Sequence, residues 1–123
     1  MNVLIWVLQS LLALAFLAAG TIKVSQPKEK LEPTMGWAAD FSQPMVRFIG
    51  AVEILAALGL VLPAATGIAP VLTPLAASGL AIVMIGAIGI HARRRESPMI
   101  VVNAVLLLLA AVVAWARFGP YAL

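Results

Sequence analysis

The chain has no cysteine. That excludes disulfides, thiol chemistry, thiolate metal sites and iron–sulfur clusters, so any redox chemistry must be borrowed from a ligand or partner. It has one histidine, which excludes bis-histidine haem within one chain. A His/Met pair would need a second ligand facing the first, and no haem is expected. Charge is scarce too: 11% of the 123 residues are charged and 63% are hydrophobic, with a mean hydropathy of +1.09, a composition that places the chain among membrane proteins. The net charge of +3 and pI near 10.0 would suit a nucleic-acid binder. The basic residues, however, flank apolar runs and form no polar stripe, so no nucleic-acid partner is expected.

Four apolar runs remain. Residues 3–22 are apolar except for Gln9 and Ser10, and at about 1.5 Å per residue they match the roughly 30 Å hydrocarbon thickness. A signal peptide is the competing reading, because Leu17-Ala-Ala-Gly20 resembles a lipoprotein cleavage box. Thr21 stands where the lipidated cysteine would be, and no basic residue precedes the run, so a retained span is expected. The second span, 45–62, has Ser42 as its N-cap, Pro44 in the first turn and Pro63 as a stop. The short uncharged link from Pro63 to Gly67 makes spans two and three a tight antiparallel hairpin. The third run, 68–90, contains Pro70 and Pro74, so either the helix starts at Thr73 or it begins earlier and kinks, a kinked or broken start being the expectation. The fourth, 99–116, follows Ser97 as cap and Pro98 at the first helical position, and Arg117 ends it where a cation suits the helix dipole. The expectation is one all-α domain, a four-helix transmembrane bundle with antiparallel up-down-up-down topology.

The only long polar connection runs from Lys23 to Gln43. Ser25 followed by Pro27 opens a short helix there, and Met35, Trp37, Ala38 and Phe41 are expected to lie at the interface with their rings at headgroup level. A plain loop with one aromatic anchor is the alternative. Either form can cover the bundle mouth.

One carboxylate, Glu53, falls inside a span. An ionisable group there costs about 2.5–3.5 kcal/mol on insertion scales and normally faces the bundle interior with a partner. Glu53 shares a helix face with Gly50, Ala56 and Ala57, a surface suited to close helix approach. Lys23 ends span one, His91 ends span three, and Asn103 lies one turn into span four. Helical side chains lean toward their own N-terminus, so in an antiparallel bundle these four groups converge at one end. Lys23 and Glu53 are the expected ion pair, with snorkelling of Lys23 to the surface as the bland alternative. Asn103 as interhelical glue and His91 as an interfacial residue are the corresponding alternatives. Arg93, Arg94 and Arg95 read as topology and headgroup residues.

The stretches Phe16-Leu-Ala-Ala-Gly-Thr-Ile-Lys23 and Gly50-Ala-Val-Glu-Ile-Leu-Ala-Ala-Leu-Gly59, with the third span ending at His91, resemble the DoxX-like family of small four-helix membrane proteins. The resemblance covers all four spans. It implies site positions at Lys23, Glu53 and His91, and a link to redox complexes such as thiosulfate:quinone oxidoreduction or to the assembly of other membrane proteins. Three readings follow. The first is a binding or accessory subunit whose pocket, made by Lys23, Glu53, His91 and Asn103, holds a quinone, lipid or other amphiphile. Its partners are the lipid bilayer, a membrane or redox protein, or a second copy of the chain. The second is a proton-coupled small transporter, although small multidrug transporters carry their carboxylate in the first helix and this chain has none there. The third is a structural subunit without a ligand. No catalyst or metal site is visible.

The loops after spans one and three share a side and carry Lys23, Lys28, Lys30, Arg47, Arg93, Arg94 and Arg95, against Arg117 alone opposite. The positive-inside rule therefore puts both loops in the cytoplasm and both termini outside the cell membrane. An alkaline phosphatase fusion after Leu123 is expected to be active, and a fusion within the loop at Arg95 inactive. The reverse pattern would invert the assignment.

Overall fold

A backbone immersed in hydrocarbon has no water to satisfy its donors and acceptors, so long apolar runs close their hydrogen bonds on themselves as helices. The computed structural model describes residues 1–123 and contains four such helices, each long and apolar enough to cross a membrane: α1 (Asn2–Ser25), α3 (Gln43–Thr66), α4 (Leu72–Arg93) and α5 (Ser97–Phe118). Between α1 and α3 lie one helical turn, α2 (Lys28–Leu31), and a 3-10 turn over Gly36–Asp40.

Three helix boundaries differ from expectation. Pro63 does not stop α3; the helix continues to Thr66 and ends on Gly67 in the left-handed region, φ 73°. Proline has no N–H, so the Gly59 carbonyl one turn earlier loses its helical donor. The Thr73 hydroxyl of α4 donates to that carbonyl at 3.1 Å, which is why the proline is tolerated. The third helix starts at Leu72 rather than Ile68, and Pro74, its third residue, sits in the first turn where no donor is lost, so it causes no break. The fourth helix is capped by Glu96, not Ser97; the Glu96 side chain turns back to His91 and Arg94. At α3 the expected cap holds, with Ser42 Oγ accepting from the Met45 amide at 3.3 Å.

The helices pack as two leaves. α1 lies along α3 and α4 along α5, while the α3–α4 seam is less extensive and the α1–α5 seam least. In the first leaf Gln9 meets Leu60 and Gly20 meets Gly50, so α1 and α3 run antiparallel. Glycine is required at both members of the second contact. A Cβ on Gly20 would fall 2.6 Å from the Gly50 carbonyl oxygen, and one on Gly50 would fall 2.7 Å from the Gly20 oxygen. Without those side chains the two backbones touch, the packing mode that membrane helices use in place of a hydrophobic driving force. Leu12, Phe16, Leu60, Leu80, Met84 and Val113 fill the space between the leaves.

Gly50→Ala is expected to lower stability by about 1–3 kcal/mol through this overpacking. Gly79→Ala, where an added Cβ meets nothing within 4 Å, is expected to be neutral or stabilising. Thermal unfolding in detergent compares the two, and equal midpoints would refute the close-contact account.

Candidate functional site

The glycine contact brings the end of α1 against the first half of α3. Lys23 leans back toward the N-terminus of its helix and donates from Nζ to Glu53 Oε1 at 2.6 Å. The side chains are 11% and 2% exposed, so Lys23 is an internal partner and does not snorkel. Trp37 lies over the ammonium, 5.5 Å from Nζ to the ring centroid. Charge, hydrogen bond and ring together offset the desolvation of both ions.

His91, buried at the end of α4, does not join this pair. Its Nδ1 lies 3.0 Å from Glu96 Oε1, across the turn into α5. In the neutral ring, a carboxylate on Nδ1 favours the proton there and leaves Nε2 as an acceptor. Glu96 also accepts from Arg94 Nε at 3.2 Å. Arg94 reaches across to the first loop, donating from Nη1 to Asp40 Oδ2 at 2.7 Å, and the Gly36 backbone lies directly under its guanidinium. The hydrogen bond to Asp40 raises the Arg94 pKa above its ordinary value, so the guanidinium keeps its charge. Arg94 thus ties the two loops together, a role beyond topology.

The first loop consequently folds over the bundle. Leu31, Ala38 and Val46 form a small core beneath it, with Met35, Trp37 and Phe41 packed alongside. The rings expected at headgroup level turn inward: Trp37 packs edge-on against Phe41 and, with Met35, lines a cavity of about 420 Å³. Lys23, Glu53, His91 and Asn103 all line that same cavity, whose remaining walls are mostly aliphatic residues of the four long helices. Only Lys23 and Glu53 bond to each other. Asn103 is buried, and its Nδ2 has no hydrogen-bond partner. A buried donor left unpaired costs about 1–3 kcal/mol, and the residue that carries it lines the cavity.

A second polar cluster at the opposite end went unread in the sequence. Arg117, 3% exposed, donates from Nε to Gln9 Oε1 at 2.9 Å and from Nη1 to Asn2 Oδ1 at 2.6 Å and the Tyr121 carbonyl at 2.9 Å. Trp6 lies against the guanidinium at 5.5 Å, and Gln9 Nε2 donates on to the Leu60 carbonyl at 2.7 Å. The available signal was Gln9, a polar side chain well inside an apolar span, which needs a partner just as Glu53 does. Glu96 and Asp40 were missed for another reason: their partners come from loop conformation.

The chain matches the DoxX-like family over residues 7–113, and it belongs to that family of membrane proteins. No curated protein and no solved structure matches it.

Breaking the buried pair from one side leaves a charge without a counter-ion, so Lys23→Met and Glu53→Leu alone are each expected to cost about 3–5 kcal/mol. The double variant should recover most of that loss. A double-mutant cycle in detergent measures the coupling, and simple additivity would show that the pair does not act as a unit.

Proposed function

We propose that this protein is a binding or accessory subunit that holds an amphiphile, with a quinone or a lipid carbonyl as the head, in the cavity at the Lys23 end. One observation carries the reading: a cavity with mostly aliphatic walls ends in four polar side chains, one of them a buried amide donor with no protein partner. Its volume of about 420 Å³ lies within the range of small-molecule sites, roughly 300–1,000 Å³, which combine apolar walls with a few fixed polar groups.

The polar groups divide the work. Asn103 Nδ2 supplies a donor to a carbonyl oxygen, and His91 Nε2 accepts from a hydroxyl. Glu53 holds the Lys23 ammonium at the edge of the same space. The contact from His91 to Glu96, which is half exposed, connects the cavity to solvent, so a head that takes up or releases a proton has a carrier beside it. This suits an accessory subunit of a membrane redox complex better than an enzyme acting alone.

Native mass spectrometry of the protein extracted with its lipids, comparing wild type with Asn103→Leu and Glu53→Gln, tests this reading. A small molecule retained by the wild type and reduced by about tenfold in Asn103→Leu is expected, the loss of one buried hydrogen bond to the ligand being worth about that factor. Absence of a retained molecule from every form would favour the purely structural role.

A further inference from the structure

Building on the ligand-binding reading above, we propose that the ligand's apolar tail leaves the cavity sideways into the bilayer, between α1 and α5. The ligand class is then an uncharged amphiphile, with a carbonyl or hydroxyl head, taken from within the membrane.

The two leaves are joined unevenly. At the Arg117 end, hydrogen bonds cross between them from Thr73 to Gly59 and from Arg117 to Gln9 and Asn2. At the Lys23 end the helices exchange none: Lys23–Glu53 lies within one leaf and His91–Glu96 within the other. The only link there is Arg94–Asp40, between the loops. Beyond that loop contact, the leaves are joined at this end only by apolar packing such as Phe16 with Met84, which leaves the sides of the cavity without a hydrogen-bonded closure. The aqueous mouth, meanwhile, is covered by Met35 and Trp37 under that loop contact.

The two side openings are not equivalent. At the α3–α4 seam, Ile49, Val83 and Ile90, all half-buried, bring branched side chains to the cavity wall on either side of the exposed Gly86 backbone, and the α3 wall itself is not exposed. At the α1–α5 seam, the least extensive of the four, the small Ala15 and Ala19 line the wall on α1, with Ala15 exposed, and Val102, 48% exposed, lines it on α5. Here cavity-lining residues are exposed on both helices of the seam, which marks the place where cavity and bilayer meet. Nothing but an acyl-like or isoprenoid-like chain suits that gap, because its walls carry no polar atom beyond the backbone.

The charge balance selects the head. Glu53 already neutralises Lys23, and the remaining groups facing the cavity are a neutral amide and an imidazole whose other nitrogen is held by Glu96. An anionic or cationic head would enter as an unpaired charge in a low-dielectric space. A carbonyl or hydroxyl meets Asn103 Nδ2 or His91 Nε2 without that penalty.

The chain's three tryptophans allow a direct test. A Trp6→Phe/Trp115→Phe parent leaves Trp37, which lines the cavity, as the single reporter. The parent is placed in phosphatidylcholine vesicles, and Trp37 emission is titrated with a decyl-tailed benzoquinone and with the same quinone lacking the tail. The quinone serves as an uncharged dicarbonyl head that quenches indole. Ala15→Phe and Val102→Phe, on opposite walls of the seam and each checked for helicity by circular dichroism, are expected to weaken the tailed probe by about tenfold or more. Both should leave the tail-less probe within about twofold. Unchanged binding of the tailed probe, or equal loss of both probes, overturns the tail path while the pocket stands. No saturable quenching of the parent by either probe overturns the ligand-binding reading itself, and this inference with it.

Discussion

The Lys23–Glu53 hydrogen bond is the constraint on which the rest of the structure depends. Two opposite charges at membrane depth are each costly to desolvate, and they are tolerated only when held close and shielded together. Holding them requires the backbones of α1 and α3 to touch, which Gly20 and Gly50 permit. It also requires a lid, which the first loop supplies through Trp37. Glycine contact, ion pair and folded loop are therefore one device, and changing any of them shifts the other two.

That device ties α1 to α3 as one leaf. α4 and α5 form their own pair, and the bundle is drawn together chiefly at the far end by Thr73 and Arg117. The result is a cleft whose depth is apolar and whose upper end is polar. The amphiphile proposed for this space would lie with its head at that polar end. The shape thus follows from where the interhelical hydrogen bonds are placed, not from the composition of the helices, which are similarly apolar.

Lys23, Glu53 and His91, the polar positions implied by the family resemblance, all border the cavity, but they do so with different partners. Lys23 bonds to Glu53, His91 is held by Glu96, and the Asn103 amide nitrogen has no partner at all. A cluster that satisfied all its own hydrogen bonds would be structural cement. This one retains capacity for a further group.

The four spans, their helical nature and the convergence of Lys23, Glu53, His91 and Asn103 at one end were legible in the sequence. Length, hydropathy and helix periodicity act locally and along one chain direction, so they survive without knowledge of neighbours. Cap and stop signals were less dependable: Pro63 reads as a terminator until Thr73 of another helix satisfies the carbonyl it frees. The inward turn of Trp37, the Arg94–Asp40 contact and the burial of Arg117 against Gln9 were decided by tertiary structure. Each depends on how two segments distant in sequence are rotated about their axes, and hydropathy carries no information about that rotation when all faces of a helix are apolar. Glu53 stands on both sides of this division. Its need for a partner follows from its charge and its depth, and the identity of that partner from the single contact at which two glycines let two helices meet.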